Sequence, residues 1–368
     1  MGYISDRINR VILLGISAIL WSAMTAISAV STHFWLLVLT RICLGIFESA
    51  GNPAAYSLIA DYFHPDFRGT ANSIYTLGIY IGGALSSLTI VIITGIGWRW
   101  AFAIIGYIGM FAGLLCLLFV KEPQRGKFDK TKLQQIKTAV SPLKAFTSAT
   151  AEIFVNPTCR WVVFAGVFRF FGGYAIGFYM PLYFGKIYPD DQTLYSYLNA
   201  FVVSFGGFIS AYGGGILSDR LEVYSYKAKA YICIVGSFLG VPTIAVCTLY
   251  QKSFGVSITF LFFEYLVAEC WNSPAITMLL NTVSPKNKGY AVSAYLFFTT
   301  ISGTISTALC GTFQTAFDGN EYPERYGYIL FGFVCFSYLG SIPFFYLSGN
   351  SYKAFKERQL LEEELAKE

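Results

Sequence analysis

Five ionisable side chains lie inside long apolar stretches of the sequence, where a charge is expensive to bury and usually faces a cavity and a partner. They are Arg41, Glu48, Arg169, Glu264 and Glu269. Arg41 and Glu48 are seven residues apart, so on a helix they share one face with a side-chain gap of roughly 10 Å. That gap is too long for a direct salt bridge and suits the two ends of one polar track.

The types of these residues indicate proton exchange and anion binding. A carboxylate near an arginine in a medium of low dielectric constant can change its protonation when its access to water changes, which favours Glu48 as a coupling residue. A guanidinium group stays charged and binds phosphate or carboxylate through two hydrogen bonds, so Arg41 and Arg169 are candidates for holding an anionic group. Two other interpretations stay open: a fixed ion pair for Glu48, and an Arg169 side chain that reaches toward the membrane surface.

The elements that carry these residues must be membrane-spanning helices. The chain is 55% hydrophobic and only 13% charged, with a mean hydropathy of +0.54. A hydrocarbon core about 30 Å thick needs roughly 20 apolar residues per helix, and the candidate segments do not alternate in polarity as barrel strands do. The sequence therefore predicts an all-α polytopic membrane protein. Its ten candidate spans are about 11–29, 34–60, 70–96, 98–120, 160–185, 195–217, 228–250, 254–281, 289–316 and 326–348.

The two halves of the chain repeat two patterns. The string Gly-x-x-x-Asp-Arg occurs at residues 2–7 and again at 215–220, and each copy adjoins an apolar span. Glu48 and Glu269 each stand five residues before a Pro-Ala pair, which makes Glu269 a further candidate for coupling and ranks Glu264 after it. Helix-breaking residues at matching places in two halves are typical of transporters with a binding site near the bilayer midplane.

The repeated loops predict a gate. A carboxylate and an arginine at the inner surface can latch two helical bundles and release them as they rock. Topogenic charge alone is the alternative, and it would explain the arginines but not the repeated aspartate and glycine. The residues of this predicted gating motif are Gly2, Asp6, Arg7, Arg10, Gly215, Asp219 and Arg220.

Basic residues predict the orientation, because they concentrate on cytoplasmic loops. If the first Asp-Arg loop is cytoplasmic, the loops on the opposite side contain only four basic residues, which are Arg99, Lys186, Lys252 and Arg325. Ten spans then place both termini in the cytoplasm. We expect four regions: an incomplete N-terminal bundle of about four helices (1–120), a cytoplasmic linker (121–157), a six-helix C-terminal bundle (158–350) and a charged tail (351–368).

Several classes of function are disfavoured. The net charge of +5 is spread along one membrane face, so a nucleic-acid partner is not expected. The eight cysteines form no CxxC pair and the two histidines lie near predicted helix ends, which predicts no metal site. There is no hydrolase triad and no Gly-x-x-x-x-Gly-Lys-Ser/Thr loop, so we expect neither an enzyme nor a cofactor.

The chain resembles the major facilitator superfamily, whose loop signature reads Gly-x-x-x-Asp-Arg-x-Gly-Arg followed by Lys or Arg. Asn9 and Val11 depart from that signature, and Arg41 with Gly45 resembles a second signature on the family's fourth helix. The residues that match the loop signature are Gly2, Asp6, Arg7 and Arg10. The segments that resemble the spinster branch of the superfamily are 41–50, 61–63, 68–71, 97–102 and 122–126.

The resemblance implies a two-bundle fold and a secondary transporter that moves a small organic or lipid-like solute, of the lysophospholipid or sphingolipid type, by alternating access with protons as a coupling ion. It implies a plasma or endolysosomal membrane, and membrane lipids as neighbours. The ten spans would be the family's third to twelfth helices, with the first two absent, either because the chain is a fragment or because the bundle is reduced. An organic anion or sugar carrier, and a non-transporting sensor or assembly subunit, remain alternatives.

Overall fold

The structure is a computed structural model that describes residues 8–63, 65–124, 142–283, 288–319 and 321–365. Within these residues it is helical and contains no β-strand, which confirms the all-α fold. The α-helices are α1 (Arg10–Ser28), α2 (Phe34–Glu48), α3 (Gly51–Tyr62), α4 (Pro65–Ile96), α5 (Trp98–Phe119), α6 (Pro142–Val155), α7 (Pro157–Ile187), α8 (Gln192–Phe201), α9 (Gly207–Glu222), α10 (Ala228–Leu249), α11 (Phe254–Ala268), α12 (Asn272–Thr282), α13 (Lys288–Ala316) and α14 (Glu324–Leu365).

Several of these helices, alone or joined to a neighbour, are long and apolar enough to cross a bilayer. Within the described chain, eight segments meet that condition, and the two other predicted spans fall on α2 with α3 and on α4. The last helix, α14, has 42 residues, so it is about 63 Å long and must extend well beyond a hydrocarbon core of about 30 Å. The charged tail is therefore a continuation of the last span.

The chain forms two compact units, Met1–Pro142 and Leu143–Glu368. In the first, α1 packs against α5 through small residues, as membrane helices commonly do. A Cβ atom on Gly106 would lie 2.6 Å from the backbone nitrogen of Ala26, so only glycine allows this approach. Gly97, with φ of +88°, makes the turn between α4 and α5 in a conformation that favours glycine.

In the second unit, α7 is the central helix. Asn156 caps it by accepting a hydrogen bond from the Thr158 amide at 3.0 Å, and donates another to the Thr282 carbonyl at 2.9 Å, which fixes the end of α12 beside the start of α7. Ile153 of α6 is fully buried in the same core. Helix α6 thus packs with this unit, although the sequence places it inside the 121–157 linker.

Each unit contains one helix pair that is broken at the same point of the repeat. Helix α2 ends at Glu48 and α3 begins at Gly51, while α11 ends at Ala268 and a 3₁₀ turn, Glu269–Trp271, precedes α12. Pro53 and Pro274 are the third residues of the helices that follow. A proline is tolerated there because the first N–H groups of a helix have no intrahelical partner. The breaks thus place Glu48 and Glu269 at helix interruptions.

Candidate functional site

Arg169 of α7 is buried, with 2% of its surface exposed. Its Nη2 donates to the carbonyl of Ala268 at 2.7 Å, the last residue of α11 before the break. The guanidinium carbon lies 3.8 Å from the ring centre of Tyr338 and 5.2 Å from that of Trp271, and such stacking stabilises the cation. Its Nε and Nη1 atoms have no hydrogen-bond partner within the described residues, so they are available to an anionic group.

Two carboxylates accompany Arg169. Glu264 of α11 is 1% exposed and accepts a hydrogen bond from the Tyr338 hydroxyl. Glu269, in the 3₁₀ turn, is half-buried and directly follows Ala268, whose carbonyl accepts the hydrogen bond from Arg169. The structure therefore brings Arg169 and Glu269 together as candidate binding residues, and adds Glu264, which the sequence ranked below them. One buried cation therefore lies in the same region as two carboxylates, an arrangement in which a proton or an anionic solute can change the charge balance.

Arg41 and Glu48 lie in the first unit on one helix. Arg41 is exposed on α2, donates a hydrogen bond to the Ser28 hydroxyl and stacks over Phe102, with 5.1 Å from its guanidinium carbon to the ring centre. Glu48 is the exposed last residue of α2, directly before the break. Both side chains are thus presented at the surface of this unit, with the carboxylate at the interruption.

A buried ion-pair cluster joins three helix ends in the first unit. Arg10, whose side chain is 3% exposed, contacts Asp61 (2.5 Å, Nη1 to Oδ2) and Glu122 (2.7 Å, Nε to Oε1). Glu122 also accepts the backbone N–H of Arg10 at 2.8 Å and that of Val11 at 3.1 Å. Its carboxylate therefore caps the N-terminus of α1, where negative charge is favourable. We call Arg10, Asp61 and Glu122 the Arg10 cluster.

The second unit has a counterpart, the Lys229 cluster, made of Lys229, Asp219, Glu222, Tyr352 and Asn281. The Nζ atom of Lys229, with its side chain fully buried, lies 2.5 Å from Asp219 and 3.0 Å from Glu222. Tyr352 donates to Glu222 at 2.7 Å, and Asn281 donates to the Tyr352 hydroxyl at 2.9 Å. Lys229 is the second residue of α10 and Arg10 the first of α1, so each unit holds a buried cation at the start of one helix.

The other predicted gating residues have varied positions. Gly2, Asp6 and Arg7 lie outside the described residues. Gly215 faces Ser273, whose hydroxyl would be 3.0 Å from an added Cβ, and Arg220 is exposed near the end of α9. Of the motif, the structure therefore places Arg10 and Asp219 in buried-cation clusters.

Sequence reasoning missed Lys229 as a partner for Asp219, along with Glu222 and Tyr352. One signal was present: Lys229 stands inside the start of a predicted apolar span, and Arg10 directly precedes one in the other half. The partners themselves could not be found from spacing, because Tyr352 is 130 residues from Glu222 in the chain. Asp61 and Glu122 were visible only as parts of the spinster-like segments.

Two related helical repeats, with matched breaks and matched ion-pair clusters at helix ends, define a multi-pass membrane protein of the two-bundle type. The chain belongs to the Major Facilitator Superfamily, whose family model matches residues 1–307. The resemblance found in the sequence is thereby confirmed.

The similar proteins are spinster-like. The sphingosine-1-phosphate transporter SPNS2 of Danio rerio is 28% identical over 315 residues, which cover 79% of this chain and 60% of the relative. Protein spinster homolog 1 of Mus musculus is 35% identical over 133 residues, 35% of this chain and 25% of that protein. The chain thus spans about 60% of the length of the SPNS2 relative that it matches.

A solved structure has the same fold. It is the crystal structure of a bacterial homolog to the human lysosomal transporter Spinster, inward-facing and unoccupied, with a TM-score of 0.70 and 21% sequence identity. The match covers 96% of this chain and 84% of that one. It confirms the major-facilitator-type fold expected for these helices.

Proposed function

We propose that this protein is a secondary active transporter that moves a small organic or lipid-like solute, of the lysophospholipid or sphingolipid type, by alternating access. The observation that carries the proposal is the pair of helix breaks at Glu48 and Glu269, one in each repeat of a Major Facilitator Superfamily fold. Broken helices at matching points supply the irregular backbone and polar groups that bind solutes within a membrane. SPNS2, to which the chain is similar, is named for transport of sphingosine-1-phosphate.

Arg169 is the proposed anion-binding residue, together with Arg41. Its two unpaired nitrogen atoms can donate to a phosphate or carboxylate, and its ring contacts hold the guanidinium plane in place. Glu48 and Glu269 are the proposed coupling residues. Each carboxylate stands at a helix break, where a change of access to water would favour a gain or loss of a proton and would couple proton movement to the solute.

The Arg10 and Lys229 clusters, with Arg220 and the first Asp-Arg loop, are the proposed inner gate. We assign them to the cytoplasmic side, with both termini, on the distribution of basic residues in the sequence. The membrane is plasma or endolysosomal in this proposal. The four regions expected from the sequence then correspond to a first bundle, a linker, a second bundle and a tail that continues α14.

The experiment is a flux assay on the full chain in phospholipid vesicles, with and without an imposed pH gradient. The solutes are sphingosine-1-phosphate, a lysophospholipid, a small organic anion and a sugar. We expect the lipids to move faster than in protein-free vesicles, with acceleration by the pH gradient. Arg169→Gln should raise KM for the phosphate-bearing lipid about ten- to a hundred-fold, because a charge-assisted hydrogen bond contributes about 1.5–3 kcal/mol.

Glu48→Gln should remove the acceleration by the pH gradient and retain exchange of solute. Glu357→Gln is the matched control, because Glu357 is an exposed carboxylate of the tail that pairs only at the surface with Lys353. Movement of the organic anion or the sugar, without movement of the lipids, would favour the alternative of an organic anion or sugar carrier. Folded protein that moves none of the four would contradict the proposal and favour a sensor or assembly subunit.

A further inference from the structure

The second unit carries an open groove between α9 and α10, floored by α11 and the 3₁₀ turn. Its volume is about 640 Å³, within the range of sites that hold small organic molecules. Its walls are almost wholly apolar, and Leu217, Val235 and Leu239 are exposed along it. The groove lies within one unit and does not include Arg169 or either of the proposed coupling carboxylates.

Glycines explain why the groove exists. A Cβ on Gly214 of α9 would lie 2.5 Å from the Cys270 carbonyl oxygen, and one on Gly236 of α10 would lie 2.6 Å from the Cys270 sulfur. Both helices thus rest closely on the floor at Cys270. Gly213, beside them in the groove, would have no atom within 4 Å of an added Cβ. The close packing of α9 and α10 on Cys270 therefore sets the position of the groove. The groove stays open at Gly213 because glycine has no side chain to fill it.

The length of the groove matches one leaflet of a bilayer. Along α10 its lining runs from Ala228, at the start of the helix, to Leu239. Eleven residues of helix rise about 16 Å, roughly half of the hydrocarbon thickness of about 30 Å. The groove therefore extends from the membrane surface at the Lys229 cluster to near the centre of the bilayer, which is the depth that one acyl chain occupies.

The charge at the mouth favours an anionic headgroup. Arg220 and Lys227 directly precede the groove-lining residues at the end of α9 and the start of α10. The nearby carboxylates, Asp219 and Glu222, both lie within salt-bridge distance of Lys229. Basic residues at a membrane surface attract anionic lipids by about 1 kcal/mol each.

We propose that this groove binds one acyl chain of an anionic phospholipid from the leaflet on the Lys229 side, with the phosphate at Arg220 and Lys227. The bilayer is as apolar as the groove, so transfer out of water supplies no preference for the site. Shape and headgroup charge select the lipid instead. The site includes none of the residues proposed for solute binding or coupling. A lipid held there contacts α9 and α10, two of the helices that contribute to the Lys229 cluster.

The test is photolabelling of the full chain in phosphatidylcholine vesicles that contain phosphatidylserine with a photoactivatable group in its acyl chain. Peptide mapping should find the label concentrated in residues 209–239. Gly213→Trp places a bulky side chain in the groove from a position where an added Cβ meets no atom within 4 Å, and should abolish that label. Gly332→Trp is the matched control, because Gly332 is also exposed on a helix with open space around it, and it should leave the label unchanged.

The headgroup is tested with Arg220→Gln/Lys227→Gln. The preference for the serine lipid over a choline lipid carrying the same chain should fall about 25-fold, because each basic residue contributes about five-fold. Label spread evenly over the lipid-facing helices, or label in 209–239 that survives Gly213→Trp in a folded protein, would overturn the site. Equal labelling of the wild type by both lipids would overturn the anionic headgroup. None of these outcomes depends on whether the protein transports a solute.

Discussion

Lys229 is a fully buried cation whose two carboxylate partners differ in exposure, which sets what its removal should cost. Asp219 is 71% exposed and can be solvated by water, whereas Glu222 is 22% exposed. Breaking a fully buried pair costs about 3–5 kcal/mol, but the exposed partner reduces that figure, so we expect Lys229→Met to destabilise the protein by about 1–3 kcal/mol. Thermal unfolding in detergent measures the change.

Lys353→Met is the control for this prediction, because Lys353 forms an exposed pair with Glu357 on the same unit. Exposed pairs contribute about 0–1 kcal/mol, so its unfolding temperature should change little. Equal unfolding temperatures for the two variants would show that the Lys229 cluster does not contribute to stability beyond a surface pair.

Tyr338 supports the buried Glu264 by donating its hydroxyl proton to that carboxylate. Tyr338→Phe keeps the ring beneath Arg169 but leaves the carboxylate without this donor, so we expect a loss of about 1–3 kcal/mol in the free energy of unfolding. Glu264→Gln should cost less, because an amide oxygen accepts the same hydrogen bond. Thermal unfolding of both variants tests the order, and a larger loss in Glu264→Gln would contradict it.

Helix α5 depends on Gly106 for its approach to α1. An alanine there would place its Cβ 2.6 Å from the Ala26 backbone, so Gly106→Ala must separate the helices at a cost of about 1–3 kcal/mol. Gly95→Ala on α4 has open space around it and should stabilise the protein by about 0.5–1 kcal/mol, because alanine favours a helix. The opposite signs of the two shifts in unfolding temperature are the prediction. Two shifts of the same sign would refute the packing argument.

The breaks in the helices are a feature that can be predicted from the sequence at the scale of the element. Pro53 and Pro274, each five residues after a glutamate, indicate interruptions because proline cannot supply a helical N–H, and the breaks occur beside Glu48 and Glu269. Signals of this kind can be read from residues that are close together in the sequence. The surroundings of Arg169 are not, since its partner Ala268 is 99 residues away. Such contacts follow from the packing of α7 against other helices, which hydrophobic pattern alone does not specify.

At the scale of the molecule, the two units share a buried ion-pair cluster as well as the order of their helices. Each unit buries one cation at the start of a helix: Arg10 contacts Asp61 and Glu122, and the Lys229 cluster includes Tyr352 and Asn281 beside its two carboxylates. A guanidinium satisfies several acceptors in a plane, whereas an ammonium is a compact point charge. The repeat therefore preserves the position of the charge while the means of holding it differ.

The last prediction concerns coupling between the units. If the clusters form one gate, weakening the Lys229 cluster should alter access to the first unit as well. Tyr352→Phe removes a hydrogen bond to Glu222 that contributes about 1 kcal/mol. If that bond forms only in the closed state, its loss shifts the gate equilibrium about five-fold toward the open state.

The reporter for this shift is Ser49→Cys, at the exposed break after Glu48, in a background whose native cysteines have been replaced. Its labelling by a membrane-impermeant maleimide from the cytoplasmic side should become about five-fold faster in Tyr352→Phe, as the shift in the gate equilibrium requires. Arg10→Lys, within the first unit, should act in the same direction because lysine cannot reproduce the forked contacts of arginine with Asp61 and Glu122. Lys353→Gln is the surface control and should leave the rate unchanged. If Arg10→Lys accelerates labelling while Tyr352→Phe does not, the two clusters act separately and the rocking of two bundles about a common gate is contradicted.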